Sequence, residues 1–176
     1  MAWNVIRVLY ENYDMDKREA EDLLDFVAMA TVCDVMSLTG ENRILVKEGL
    51  KRIRHTKNIG LQALMQACNV QPENISAYHF GYVLGPCVNA TGRLDTARHA
   101  LRLFETGQET EAEEIARDLV DLNQERKELT LQGVEMAKKL CEEGGYENDP
   151  VLVLFLPDVH ESIAGLIAGR IREMYN

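Results

Sequence analysis

One stretch constrains the fold more than any other. From about Glu109 to Glu143 there is no proline and a single glycine, Gly133. Its apolar residues Ile115, Leu119, Leu122, Leu129, Met136 and Leu140 recur at steps of three, four or seven. That spacing lines one face of an α-helix, whereas a strand alternates every second residue. The stretch therefore predicts one long amphipathic helix. Arg126 and Gly133 interrupt a strict heptad, so a lone connecting helix is expected rather than a coiled coil. Glu109, Glu111, Glu113, Glu114, Asp118 and Asp121 crowd its first half. They complement the positive end of the helix dipole and form a solvated face.

Shorter helical patterns precede it. Val5, Ile6, Leu9 and Tyr10 suit a helix over about Trp3 to Tyr13. Asp14 or Asp16 can cap a second helix carrying Leu23, Leu24, Val27 and Ala30. After Thr39-Gly40, a helix carries Ile44, Leu45, Val46, Leu50 and Ile53, with Asn58 to Gly60 expected to end it. Leu61 to Cys68 suits a short helix, and Pro72-Glu73 the first turn of another. Gly85-Pro86 is expected to interrupt the apolar run from Tyr78 to Leu84, because proline lacks an amide donor and crowds the preceding turn. Asp95 is a candidate cap for a helix through Ala97, Leu101 and Phe104. Beyond Gly144-Gly145, the five apolar residues Val151 to Phe155 lie between breakers, the pattern of a buried, parallel strand. A helix from about Glu161 to Tyr175 follows, so strand and helix together resemble the opening of an α/β unit. A single buried strand cannot satisfy its own ladder. It must pair across a symmetry axis, or the chain is part of something larger.

The fold class expected is mainly α with a small α/β start at the C-terminus. Hydrophobic residues make up 46% and charged residues 27% of the 176, a globular balance that excludes a disordered chain. No apolar run is long enough for a membrane span, and the N-terminus lacks a secretory pattern. The chain is expected to be soluble and cytoplasmic. Cys33, Cys68, Cys87 and Cys141 form no Cys-x-x-Cys motif and read as small buried hydrophobes. A net charge of −10 argues against a blanket nucleic-acid binder, because phosphate is gripped by Lys and Arg. It leaves room for a local basic site.

Three groups of residues carry candidate chemistry. Asp34 stands among apolar neighbours in Thr31-Val32-Cys33-Asp34-Val35-Met36, where it needs a donor or a cation. Capping a neighbouring helix and binding a metal are both open. Asn89 and Arg93 lie in Gly85-Pro86-Cys87-Val88-Asn89-Ala90-Thr91-Gly92-Arg93, which suits a turn presenting a guanidinium to a carboxylate or phosphate. Arg43, Lys47, Lys51 and Arg54 recur at helical spacing, with Arg52 and Lys57 nearby. They form either a solvated face or a basic wall for a nucleic-acid strand. His55, His79 and His99 lack metal-ligand spacing and read as structural.

These residues also carry a family resemblance. AMATVCDVMSLTGENRILVKEGL (28–50), FGYVLGPCVNATGRLDTARHAL (80–101), LNQERK (122–127) and VHESIAGLIAGRI (159–171) resemble, in order and spacing, the RecJ-like exonucleases of the DHH phosphoesterase superfamily. The resemblance implies 5′→3′ hydrolysis of phosphodiester bonds in single-stranded DNA by two divalent cations, Mn²⁺ or Mg²⁺. It implies that Asp34 is the last metal ligand in chain order. Asn89, Arg93, His160 and Arg170 match family positions, and with Arg43 and Lys47 they make the candidate DNA contacts. Ser162 stands where the family usually has glycine.

The family's earlier aspartate ligands and its Asp-His-His signature should precede Asp34, yet its 33 preceding residues carry neither. Asp14 and Asp16 mimic the first pair but are better explained as an acidic helix start. The family's later Gly-Gly-His element is also missing. Residues 1–107 would then be the C-terminal helical part of a DHH domain. Residues 108–146 would be the connector helix, and 147–176 the start of a DHHA1-like domain. Such a fragment is expected to bind no ions by itself, to be inactive alone and to self-associate. Two other readings stay open: a non-catalytic helical interaction module, and a related DHH phosphoesterase acting on short oligonucleotides or cyclic dinucleotides.

Overall fold

The computed structural model describes residues 2–94, 96–146 and 149–175. Its helices are α1 (Ala2–Asn12), α2 (Lys17–Glu21), α3 (Leu24–Cys33), α4 (Gly40–Arg52), α5 (Ile59–Ala67), the single turn α6 (Ala77–His79), α7 (Gly85–Leu94), α8 (Ala97–Glu105), α9 (Glu109–Gly144) and α10 (Glu161–Tyr175). Short 3-10 turns occupy Ile53–His55 and Pro72–Asn74, and a π-helical turn occupies Phe80–Leu84. Among the described residues, no helix is long and apolar enough to cross a membrane.

Side-chain caps set some boundaries. Asp16 accepts the Arg18 amide at 3.0 Å and starts α2. The second expected helix is two, because α2 ends at Glu21 and α3 begins at Leu24. Asn58, expected to end a helix, instead begins one: its Oδ1 accepts the Leu61 amide at 2.9 Å at the start of α5. The expected Asp95 cap lies outside the described residues, and Thr96 occupies the N-cap position of α8.

Gly85-Pro86 does not break the chain's helical course. The π turn over Phe80–Leu84 widens the register, and the Gly85 amide reaches back to the Phe80 carbonyl. That one-residue slip accommodates a proline inside a continuing helix.

Two apolar clusters share α9. In the first, α5, α7 and α8 pack on the first half of α9. Leu61, Leu64, Phe80, Leu84, Leu103 and Leu119 are fully buried there. The antiparallel pair α3 and α4, where Gly49 packs against Leu24 and Ala28, adds Ala28, Met29 and Val46 to this cluster. In the second, Val134, Ala137 and Cys141 of α9 meet Ile163, Ile167 and Ile171 of α10. This corrects the expected stripe, since Met136 and Leu140 are 39% and 38% exposed. Small residues replace them at the contact and let α10 approach closely.

The C-terminal strand expectation is corrected as well. No strand forms among the described residues. Side chains from 151 to 156 still alternate: Leu152, Leu154 and Leu156 lean on the second cluster. Val151, Val153 and Phe155 face outward at 73%, 86% and 83% exposure. The segment keeps a strand's two-faced pattern, but no neighbouring strand among the described residues supplies a ladder.

Candidate functional site

Asp34 is the C-cap of α3, with its amide bonded to the Ala30 carbonyl at 2.9 Å. The chain then reverses through a Schellman closure. The Val35 amide reaches Val32 O at 3.0 Å, and the Met36 amide reaches Thr31 O at 3.2 Å. This geometry needs a left-handed residue after the cap, usually glycine. Here it is Val35, at φ 54°. A β-branched residue in that region is strained, and such strain clusters at functional sites.

The turn leaves Asp34 exposed at the end of its helix. Among the described residues, no donor is hydrogen-bonded to its carboxylate and no cation lies within 4 Å of it. A carboxylate at the negative end of a helix dipole is unfavourable without a cation. The surroundings therefore favour a positive ligand at this position. Asp34 neither caps another helix nor lies buried in a core.

From this carboxylate a line of contacts runs across the molecule. Cys33, next to Asp34, donates its thiol to Phe80 O at 3.4 Å. Burial, then the Asp34 charge, pushes the Cys33 thiol up. The Cys33 sulfur also lies against Gly85, where a Cβ would collide with it. Gly85 begins α7, and Asn89 is exposed one turn on. Arg93 follows after one more turn and donates Nη1–H to Ser162 O at 2.6 Å, tying α7 to the start of α10. Ser162 in turn bonds His160, whose Nδ1 is 2.7 Å from Ser162 Oγ and accepts the Ser162 amide at 3.3 Å. Asn89, Arg93 and His160 are thus brought into one neighbourhood. Arg170 lies in the exposed part of α10, roughly 15 Å of helix beyond His160.

Arg126 of α9 joins this neighbourhood, a role that its sequence pattern does not assign. Burial, then the like charge of nearby Arg93, lowers its pKa. Its Nε and Nη2 donate to Asn123 Oδ1 at 3.1 and 2.9 Å. Among the described residues, neither Arg93 nor Arg126 has a carboxylate within 4 Å. Two close guanidiniums without an acid suit an anion. The available signal was Asn123, a polar residue four positions after Leu119 on the buried stripe.

The basic stripe is split. Lys51 is paired with Glu48 at 2.9 Å, and Arg52 with Glu21 at 2.6 Å. Arg43 and Lys47 have no ion pair among the described residues, and Lys47 is exposed. Because α3 and α4 run antiparallel, Arg43 lies at the same end of the hairpin as Asp34, while Arg54 follows the other end. Two of the histidines expected to be structural are engaged: His79 Nδ1 accepts the Ser76 amide at 3.1 Å, and His99 Nε2 lies 3.3 Å from Asp118.

Known proteins resemble this chain in sequence and fold. The RecJ of Escherichia coli (strain K12), a single-stranded-DNA-specific exonuclease, is 38% identical over 160 residues, covering 88% of this chain and 28% of that protein. The crystal structure of RecJ from Thermus thermophilus in complex with Mn²⁺ matches with a TM-score of 0.85 at 32% identity. It covers 98% of this chain and 25% of that one. The chain matches a segment of RecJ.

A further structure, of exonuclease RecJ bound to manganese, matches 99% of this chain and 43% of that one with a TM-score of 0.86. No protein-family model matches. The chain spans 28% of the E. coli RecJ and 20% of the Bacillus subtilis RecJ. RecJ structures contain Mn²⁺ or Mg²⁺. In this chain, no three His, Cys, Asp or Glu side chains among the described residues gather as a metal site. Asp34 fits a single hard-cation ligand, being an exposed oxygen donor with no hydrogen-bond or ion-pair partner among the described residues.

Proposed function

We propose that this chain is the helical part of a single-stranded-DNA exonuclease that hydrolyses phosphodiester bonds 5′→3′ with two divalent ions, Mn²⁺ or Mg²⁺. The observation that carries the reading is the open Asp34 carboxylate at the end of α3, in a chain 38% identical to E. coli RecJ. Asp34 supplies one oxygen ligand, and the others come from outside this chain. Ions bound there would activate water and offset charge on the phosphoryl oxygens.

The chain's own residues bind and orient the strand. One Arg93 nitrogen is held by the Ser162 carbonyl, which pre-orients the rest of the guanidinium fork towards a phosphate oxygen. Asn89 and His160 offer hydrogen-bonding groups beside it. Arg43 and Lys47 add positive charge at the Asp34 end of the α3–α4 hairpin, and Arg170 extends the track along α10. The Arg93–Arg126 pair, with no carboxylate within 4 Å among the described residues, supports an anionic substrate.

One ligand cannot hold two ions, so the isolated 176-residue chain is inactive. The test compares this chain with a RecJ-length polypeptide containing it, using 5′-phosphorylated single-stranded DNA and Mn²⁺. The longer polypeptide is expected to degrade the DNA, and Asp34→Ala to abolish that activity. Undiminished turnover by the longer Asp34→Ala variant would remove Asp34 from the metal site. Mn²⁺-dependent degradation by the chain alone would overturn the incomplete-site reading.

A further inference from the structure

The first cluster holds two nucleophiles that the nuclease reading does not use. Cys68 is the C-cap of α5, and Cys87 lies in the first turn of α7. Their sulfurs are 3.8 Å apart, one thiol donating to the other. Neither forms a disulfide. Cys87 is 3% exposed, while Cys68 is half-buried and the more accessible to solvent.

The surroundings of Cys87 are polar by construction. Asn123 of α9 donates Nδ2–H to its sulfur at 3.5 Å. The orientation of that amide follows from Arg126, which can only donate and gives two N–H bonds to Asn123 Oδ1. The amide nitrogen must therefore face the sulfur. The hydrogen bond from Cys68 holds the Cys87 thiol below its ordinary range, helped by Asn123, Lys127 and Arg126 and opposed by burial. The same bond, with burial, pushes the Cys68 thiol up. Cys33 has a different environment, a carbonyl acceptor and an adjacent carboxylate. Cys141 is buried in the second cluster.

We propose that Cys68 and Cys87 are a redox-responsive dithiol, which a hydroperoxide closes into a disulfide joining α5 to α7. Cys87, the sulfur 3.8 Å away that accepts the Cys68 hydrogen bond, takes the Cys68 proton as the more accessible sulfur reacts. The Cys68 thiolate attacks the hydroperoxide: an S–O bond forms, the O–O bond breaks, and the alkoxide leaves and takes a proton from water. Cys87 then gives up its proton and attacks the Cys68 sulfur. An S–S bond forms, the S–O bond breaks, and hydroxide leaves. In sum, two thiols and one hydroperoxide yield a disulfide, an alcohol and water. The sulfurs must approach from 3.8 Å to about 2.0 Å to bond. Asn123 keeps Cys87 ready as the resolving thiolate, because a facing donor favours the charged sulfur. The bond would fasten the end of α5 to the helix carrying Asn89 and Arg93.

The experiment treats the full chain with hydrogen peroxide, then blocks remaining thiols and maps peptides without reduction. The expected result is a mass loss of two hydrogen atoms, a Cys68–Cys87 cross-linked peptide, and full reversal by dithiothreitol. Cys33 and Cys141 remain alkylatable, and Cys68→Ser abolishes the loss. Because the mapping needs no variant, a misfolded substitution does not obscure the answer. Retention of both Cys68 and Cys87 as alkylatable thiols, or a cross-link through another cysteine, would overturn the proposal.

Discussion

The two halves of α9 share one amphipathic helix and meet opposite fates. The first half is enclosed by α5, α7 and α8, and its buried Ala112, Ala116 and Leu119 are fully shielded. The second half meets α10 and the 151–156 segment, whose outer face carries Val151, Val153 and Phe155 in solvent. Each such side chain forgoes about 1.5–3 kcal/mol relative to full burial. Between the halves lies Asn123, buried and satisfied by Arg126 and Cys87. Amphipathic spacing thus decides which helix face turns inward. Closure of that face depends on what else is present to cover it.

Gly85 of α7, in the cluster on the first half, and Gly133 of the second half offer the sharpest way to break this comparison. A Cβ at Gly85 would meet the Phe80 carbonyl oxygen at 2.5 Å as well as the Cys33 sulfur, and backbone cannot easily yield. Gly85→Ala should cost about 1–3 kcal/mol, seen as a lower urea midpoint at unchanged slope. A Cβ at Gly133 meets the tip of Ile167, the far end of a flexible side chain. Gly133→Ala should lie within about 1 kcal/mol of neutral, since helix propensity offsets the contact. Equal costs would mean that both halves are equally rigid.

Val35 tests whether the Asp34 turn stores strain. Relief of a left-handed β-branched residue is worth about 1–3 kcal/mol, and glycine gives back about 0.5–1 through backbone entropy. Val35→Gly should therefore gain about 1 kcal/mol, raising Tm by roughly 2–4 °C. An unchanged or lower Tm would show that the turn is relaxed.

The smallest effect concerns Asp25, buried in α3 at 4% exposure. Burial raises its pKa, opposed by the hydrogen bond from Thr56. The folded state then binds this proton more tightly than the unfolded chain, so stability falls as pH rises from about 4 through the folded pKa. Asp25→Asn should stabilise the protein at pH 7, and the gain should vanish below about pH 4. A gain independent of pH would place its origin elsewhere.

Much of this architecture is legible in the chain. The apolar spacing predicts the long helix from Glu109 to Glu143, and it runs from Glu109 to Gly144. The helix expected after Glu161 is α10. Asp34 stands out from its apolar neighbours, and it ends a helix with its carboxylate open. Less legible is the slip of the buried stripe from Met136 and Leu140 to Ala137 and Cys141. A heptad count tolerates either phase, and only the shape of α10 selects one. The continuity through Pro86 is also hidden, because a π turn is a local answer to a tertiary demand.

The sequence alone determined that the chain is mainly helical and where the long helix and α10 run, since the 3.6-residue period acts within a few positions. It also set Asp34 among apolar neighbours, three positions after Thr31. Only the tertiary structure decided that Arg93 is held by Ser162, 69 residues away, and that Cys68 meets Cys87 with Asn123 behind it. Such partners lie far apart along the chain, and their meeting depends on how helices pack, which no short-range pattern encodes.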